Sequence, residues 1–204
     1  MCVSLLLIGG ASAASSGDET NKDAGAITGR ITAARGRRVP AMIVYLQPTD
    51  PKRRFRPAQA EVAVSQKGAT FTPSFIVISV GQRIAFPNDE DRPIEHNVFS
   101  RSPAKQFDLG LYKPGVKKSV TFDKPGPVKL FCSIHRYMDG VVFVSPTPFF
   151  AHVGKDGRYR IANVPPGEYD LKTWQRRRRY LEQTKRVRVD AGGKLTVDLE
   201  LKRK

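Results

Sequence analysis

The chain is short of cysteine, of histidine and of negative charge, and each shortage excludes something. Its two cysteines are Cys2 and Cys132, so no disulfide framework holds it together and stability must come from a packed core. Its three histidines, His96, His135 and His152, are too few to furnish several imidazole-rich metal centres. Asp and Glu number 19 against 35 Lys and Arg, for a formal net charge of +16. No long amphipathic helical period runs anywhere along the sequence. What is present is 40% hydrophobic residues, enough for a core, and 15 Pro and 17 Gly spread along the chain. Many short strands between turns, an all-β protein, is the expectation.

The first residues read as a targeting segment. Val3 to Ile8 is an apolar core too short to span a bilayer, and Gly9-Gly-Ala-Ser-Ala13-Ala14 is a small-residue run of the kind signal peptidase cleaves. Residues 1–14 are therefore expected to be a signal peptide, and residues 15–25 a polar, flexible leader. No positive residue precedes the apolar core, which places the expected translation start upstream. Cleavage leaves Cys132 as the single thiol of an exported, periplasmic or extracellular protein. An unpaired thiol in an oxidising compartment calls for an explanation, and metal ligation is one.

The stretch Leu130-Phe-Cys-Ser-Ile-His-Arg-Tyr-Met138-Asp-Gly140 supplies the metal ligands. It sets a thiol, an imidazole and a thioether on one loop, as Cys132-x-x-His135-x-x-Met138. A second imidazole, His96, lies upstream in Ile94-Glu-His-Asn-Val-Phe-Ser100, directly before an apolar run that reads as a strand. Taken singly, such residues are most often core filler. Core filling gives no reason for this joint spacing. Two imidazoles and a thiolate in a plane with a weak axial thioether are the donors of a blue-copper electron-transfer site.

These residues carry a resemblance. Phe86-Pro-Asn88, His96-Asn97-Val-Phe and Cys132-x-x-His135-x-x-Met138 before Gly140 and a Val-rich strand resemble the cupredoxins, in particular the plastocyanin and amicyanin branch. The short interval from His135 to Met138 is similar to amicyanin. The resemblance covers residues 59–146 and implies a Greek-key β-sandwich holding one type 1 copper ion. His96, Cys132 and His135 would form the trigonal plane and Met138 the axial ligand. It also implies an electron route through the edge of His135, and a backbone hydrogen bond from Asn97 toward the thiolate.

The flanks follow another pattern. Ile27 to Thr32 and Ala41 to Leu46 read as two strands joined by the basic turn Arg35-Gly-Arg-Arg-Val-Pro40, and residues 47–58 as a Pro-rich basic connector. The tail alternates apolar and polar residues in Gly154–Ile161, Val164–Leu171, Lys185–Val189 and Lys194–Leu201. With its Val164-Pro-Pro-Gly167 turn it resembles the carboxypeptidase regulatory-like, transthyretin-type sandwich. Residues 26–48 and 147–202 are thus expected to form one discontinuous sandwich into which the cupredoxin is inserted. The alternative is an N-terminal hairpin with a separate tail domain. Between them, short strands are expected at Glu61–Ser65, Phe75–Val80, Gln82–Phe86, the His96 segment, Lys118–Phe122, Val128–Phe131 and Val141–Val144. Phe107–Gly110 and Tyr112–Gly115 are expected to be loop near the metal end.

The positive charge concentrates in Lys52-Arg-Arg-Phe-Arg56, Arg176-Arg-Arg-Arg179 and Lys202-Arg-Lys204. Such a surface steers anionic partners at low ionic strength. An acidic redox protein, a cytochrome or a dehydrogenase, is the expected partner, with anionic lipid or cell-wall polymer as alternatives. Nucleic acid is not expected, because no recognition motif for it occurs. Trp174 and Tyr180 flank the arginine run, where either guanidinium stacking or core packing accounts for them. Only His152 is left over beyond the candidate ligands, and no nucleophile has a partner base, so an enzyme is not expected. The function implied is an exported carrier of single electrons. A copper carrier or storage protein, or a cationic binding module with structural copper, would use the same residues.

Overall fold

The computed structural model describes residues 22–33, 37–177 and 179–204. The expected targeting segment, most of the leader and the tip of the basic turn at 35–36 lie outside the described residues.

Every regular element among the described residues is a strand. They run β1 (Gly25–Ala33), β2 (Met42–Pro48), β3 (Val62–Ala63), β4 (Ser65–Lys67), β5 (Thr70–Thr72), β6 (Phe75–Ser79), β7 (Arg83–Pro87), β8 (Phe99–Ser102), β9 (Lys105–Asp108), β10 (Lys117–Thr121), β11 (Gly126–Phe131) and β12 (Asp139–Ser145). Then follow β13 (Phe150–His152), β14 (Arg158–Val164), β15 (Gly167–Gln175), β16 (Thr184–Val189), β17 (Lys194–Thr196) and β18 (Leu199–Leu201).

Pairing sorts these strands into two sandwiches. The central one stacks sheet β10-β7-β3 against sheet β6-β12-β11-β8-β9, with hairpin β4-β5 beside them. The outer one is made of β14-β1-β17, where β18 also joins β1, and β13-β2-β15-β16. Strands β1 and β2 therefore belong with the C-terminal strands, and the chain between them and β13 makes the central sandwich. Each has its own core. Phe86, Phe122, Val128, Leu130 and Val142 fill the central one, and Ile27, Leu46, Ile161, Tyr169 and Leu171 the outer one.

The local patterns explain the burial. In β14 exposed Arg158 and Arg160 alternate with buried Tyr159 and Ile161, the period-2 signature of a strand wet on one face. In β12 the run Gly140 to Ser145 is buried throughout. Val142 and Val144 point into the central core, whereas Val141 and Phe143 pack with Ile43, Val77 and Trp174 in a third, junction core between the sandwiches. A strand covered on both faces needs an unbroken apolar run.

Three local differences from the sequence reading have physical causes, and one alternative that it left open is decided. Phe107 and Asp108 lie in β9, paired with Ser100 and Phe99, because Phe107 packs against Phe86 and Phe122. His96 itself is held by an isolated bridge to Tyr112, and the ladder of its segment begins only at Phe99 in β8. The connector is not free of the outer sandwich: Phe55 packs edge-on to Phe149, and the Arg53 guanidinium lies 5.1 Å from the Phe55 and Tyr169 ring centres. Trp174 and Tyr180 are core residues, at 6% and 7% exposure.

Gly29 shows how closely the outer strands approach. A Cβ there would sit 1.9 Å from the Val197 carbonyl oxygen and 2.8 Å from the Tyr159 hydroxyl, which itself donates to that carbonyl. Gly29→Ala is expected to cost about 3 kcal/mol, the upper end of overpacking. Thermal unfolding should record this as a fall in Tm of roughly 6–12 °C.

Candidate metal centre

The loop from Cys132 to Met138 joins β11 to β12, whose antiparallel ladder runs from Gly126↔Val144 to Phe131↔Asp139. The last rung closes directly before the thiol, so two core strands set the loop's position. Within it, the Met138 N–H donates to the His135 carbonyl at 2.9 Å, a tight turn that brings the last two residues of the motif together. His96 comes from the neighbouring segment before β8. Its backbone N–H and carbonyl exchange hydrogen bonds with Tyr112 at 3.3 and 2.9 Å.

These elements converge three donor atoms. His96, Cys132 and His135 each offer one ligand atom, all within 4.8 Å of one another. His96 Nδ1 lies 3.1 Å from His135 Nδ1 and 3.9 Å from Cys132 Sγ. Bonds of about 2.0 Å to nitrogen and 2.3 Å to sulfur would separate such donors by roughly 3.3–3.8 Å, so the cluster is the right size for one ion. Met138 is fully buried and shares a core cluster with Cys132. His152 stands elsewhere, in β13 opposite Ile43, its ring 5.8 Å from Phe75 and its pKa lowered by burial.

The orientation of His96 is decided by Glu90, which the sequence reading did not single out. Glu90 Oε1 lies 2.8 Å from His96 Nε2, and both side chains are buried, at 7% and 0% exposure. With Nε2–H donated to the carboxylate, the Nδ1 lone pair is left facing Cys132 and His135. Two imidazole lone pairs 3.1 Å apart repel unless a proton or metal ion lies between them, and here a thiol sulfur completes the cluster. The residues present therefore fit a soft or borderline metal ion. Glu90 itself is held by the Ala69 N–H, 2.9 Å from the same Oε1. That bond, and then the one to His96, lower its pKa to about 2.

Further bonds hold the two ligand segments together. The Asn97 carboxamide oxygen accepts from the Ser133 N–H at 2.7 Å and from its hydroxyl at 2.9 Å. The Asn97 amide donates to Asp108 at 3.2 Å. Asn88, fully buried, donates to the Ile94 and Tyr112 carbonyls, each at 3.0 Å. Asn88 also accepts from the Glu90 N–H at 3.2 Å. The sole sequence signal for these roles is a run of polar residues between apolar strands.

The sequence pattern of the copper-binding proteins of the plastocyanin/azurin family matches residues 58–145, the span that forms the central sandwich and holds the donor cluster. This stretch has the cupredoxin fold. Its cofactor is copper. Solved structures similar to the chain include a purple cupredoxin from Nitrosopumilus maritimus, at 23% identity over 42% of this chain and 100% of that one, TM-score 0.37. A Cu-containing nitrite reductase from Thermus scotoductus SA-01 is 26% identical over 48% of this chain and 25% of that one, TM-score 0.40. A point mutant of amicyanin in its reduced state is 20% identical over 44% of this chain and 92% of that one, TM-score 0.38. This chain thus spans a quarter of the nitrite reductase's length. No curated protein sequence matches the chain.

Glu90 gives the cupredoxin domain a testable acid limit. A carboxyl group whose pKa is depressed on folding stabilises the native state above its ordinary range near 4.3. That stabilisation is lost as the pH falls toward the folded value of about 2. Glu90→Gln should flatten the acid limb of the stability curve between about pH 4.5 and 2. It should also weaken copper binding about 10–100-fold, as loss of an outer partner of a metal-bound His typically does. Urea melts at graded pH and competitive copper titration read the two effects separately.

Proposed function

We propose that the protein is an exported type 1 copper protein that carries single electrons between redox partners. The observation supporting this is the convergence of His96 Nδ1, His135 Nδ1 and Cys132 Sγ within 4.8 Å at one end of a close-packed β-sandwich. Those three residues would hold copper, with the thioether of Met138 as a fourth, weaker donor. Copper bound by a thiolate and two imidazoles supplies a one-electron couple.

The chain's own residues keep the site unchanged between oxidation states. Glu90 fixes the His96 ring, Asn97 ties the His96 segment to Ser133, and the β11–β12 ladder clamps both ends of the loop. Such a preset site need not rearrange when an electron arrives. Burial of Cys132, at 3% exposure, shields the thiolate from oxidation. His135 is only partly buried, and exposed Ile134 and Tyr137 flank it, so its outer edge is the route for the electron. No enzymatic role is proposed, because the donor cluster accounts for the two histidines and the thiol at the site. The outer sandwich is read as a carboxypeptidase regulatory-like module, and an acidic redox protein in the periplasm or outside the cell as the partner.

Electron self-exchange, measured by NMR line broadening in mixtures of the reduced and oxidised protein, tests this reading. Exchange fast enough to broaden the His135 ring signals supports a carrier of electrons. Negligible exchange with rapid loss of copper to a chelator would identify a copper carrier instead.

A further inference from the structure

Two of the three densest basic runs, Arg176–Arg179 and Lys202–Lys204, lie apart in sequence and meet in the fold. Tyr180 and Arg203 form an antiparallel bridge, the Leu181 N–H donates to the Lys202 carbonyl at 2.8 Å, and the Lys204 N–H reaches the Arg179 carbonyl at 3.5 Å. Arg177, Arg179, Lys202, Arg203 and Lys204 are all exposed. Neither run contains an acid, and the nearest acids in sequence are Glu182 and Glu200. Leu181, 45% exposed, lies among the cations.

This basic edge is joined to the copper loop. Arg176 Nη1 donates to the Ser74 carbonyl and hydroxyl, each at 3.2 Å. Arg176 Nη2 donates to the Asp139 carbonyl at 3.4 Å and pairs with the Asp139 carboxylate. Asp139 directly follows Met138. A planar guanidinium fork holding four acceptors is a fixed attachment, unlike a free surface lysine. A charged face serving only solubility needs neither this attachment nor the convergence of two distant runs.

We propose that this basic edge of the outer sandwich is the docking surface for an acidic redox protein that exchanges electrons at the copper loop. The inference rests on the electron-carrier reading. Charge complementarity selects an acidic partner. Exposed Leu181 here, and Ile134 and Tyr137 on the loop, are the apolar contacts a protein interface uses and a purely electrostatic one does not.

The test uses the full copper-loaded chain and a variant carrying Arg177→Gln, Arg179→Gln, Arg203→Gln and Lys204→Gln. A control variant carries Lys155→Gln, Arg158→Gln, Arg160→Gln and Lys194→Gln on the outer sandwich. The probes are a plant-type [2Fe–2S] ferredoxin as an acidic one-electron donor and ferrocytochrome c as a basic one. Ferredoxin binding is followed by calorimetry, reduction by stopped flow, at about 10 and 200 mM salt, where screening lengths differ roughly fourfold. The expected result is an approximately tenfold loss of ferredoxin binding and of reduction rate in the first variant at low salt. Its salt dependence should flatten, and the ferrocytochrome c rate should not fall. The control variant should stay within about twofold of the parent.

Equal losses in both variants would overturn the proposal in favour of unspecific attraction. Unchanged ferredoxin kinetics, with lost binding to phosphatidylglycerol vesicles, would overturn it in favour of a membrane surface. If the parent shows the thiolate-to-copper absorption and its kinetics ignore the substitutions, only the docking inference fails. If that absorption is missing, the electron-carrier reading fails and takes this inference with it.

Discussion

Replacing Cys132 by serine is expected to remove the intense visible absorption of a thiolate-bound copper and to leave the weak spectrum of ordinary tetragonal Cu(II). The thiol is the one soft donor in the cluster, and charge transfer from thiolate sulfur to copper is what makes such sites coloured. A serine hydroxyl stays protonated at neutral pH and is a hard, weak donor. Copper affinity should fall at least about a hundredfold, beyond the usual effect of losing an outer partner. The hydroxyl would occupy the buried position of a near-isosteric thiol, so unfolding of the metal-free protein should shift by no more than about 1–3 kcal/mol. Absorption and electron paramagnetic resonance spectra of both proteins, with urea melts without copper, measure all three. An unchanged spectrum would remove Cys132 from the metal centre.

Trp174→Ala is expected to cost about 3–5 kcal/mol, the range for deleting a large buried aromatic side chain. The indole is 6% exposed, its ring 4.7 Å from Phe143 and 5.5 Å from Phe75. These neighbours lie in β12 and β6 of the cupredoxin domain, while Trp174 lies in β15 of the outer sandwich. Among the described residues, the buried members of the junction core are Ile43, Val77, Val141 and Phe143 besides Trp174. Its loss should therefore uncouple the two sandwiches as well as weaken them. Urea unfolding followed by circular dichroism and by the copper colour should give coincident transitions in the parent and separate ones in the variant. Trp174→Phe, which keeps an aromatic ring, should cost less than about 2 kcal/mol and leave the transitions together. A Trp174→Ala protein that melts with the parent would show that the junction holds nothing.

The sequence by itself determined that Cys132, His135 and Met138 share one loop, because they are near neighbours whose spacing survives any arrangement of the remote strands. It also determined the all-β class, through alternation in strands such as β14 and an unbroken apolar run in β12. Tertiary structure alone decided how the ring of His96 is turned. The Glu90 carboxylate lies six residues upstream, but its position depends on the Ala69 N–H in the β4–β5 turn. The same holds for Asn97, whose partner Ser133 is brought alongside by the packing of β8 on β11. No local pattern in the Arg176–Arg179 run distinguishes the arginine that anchors to Ser74 and Asp139 from Arg177 and Arg179, which are exposed to water. Burial follows local periodicity, which a sequence displays directly. Polar partnerships join groups distant in the chain and depend on which strands pair and in what register, and no local pattern displays either.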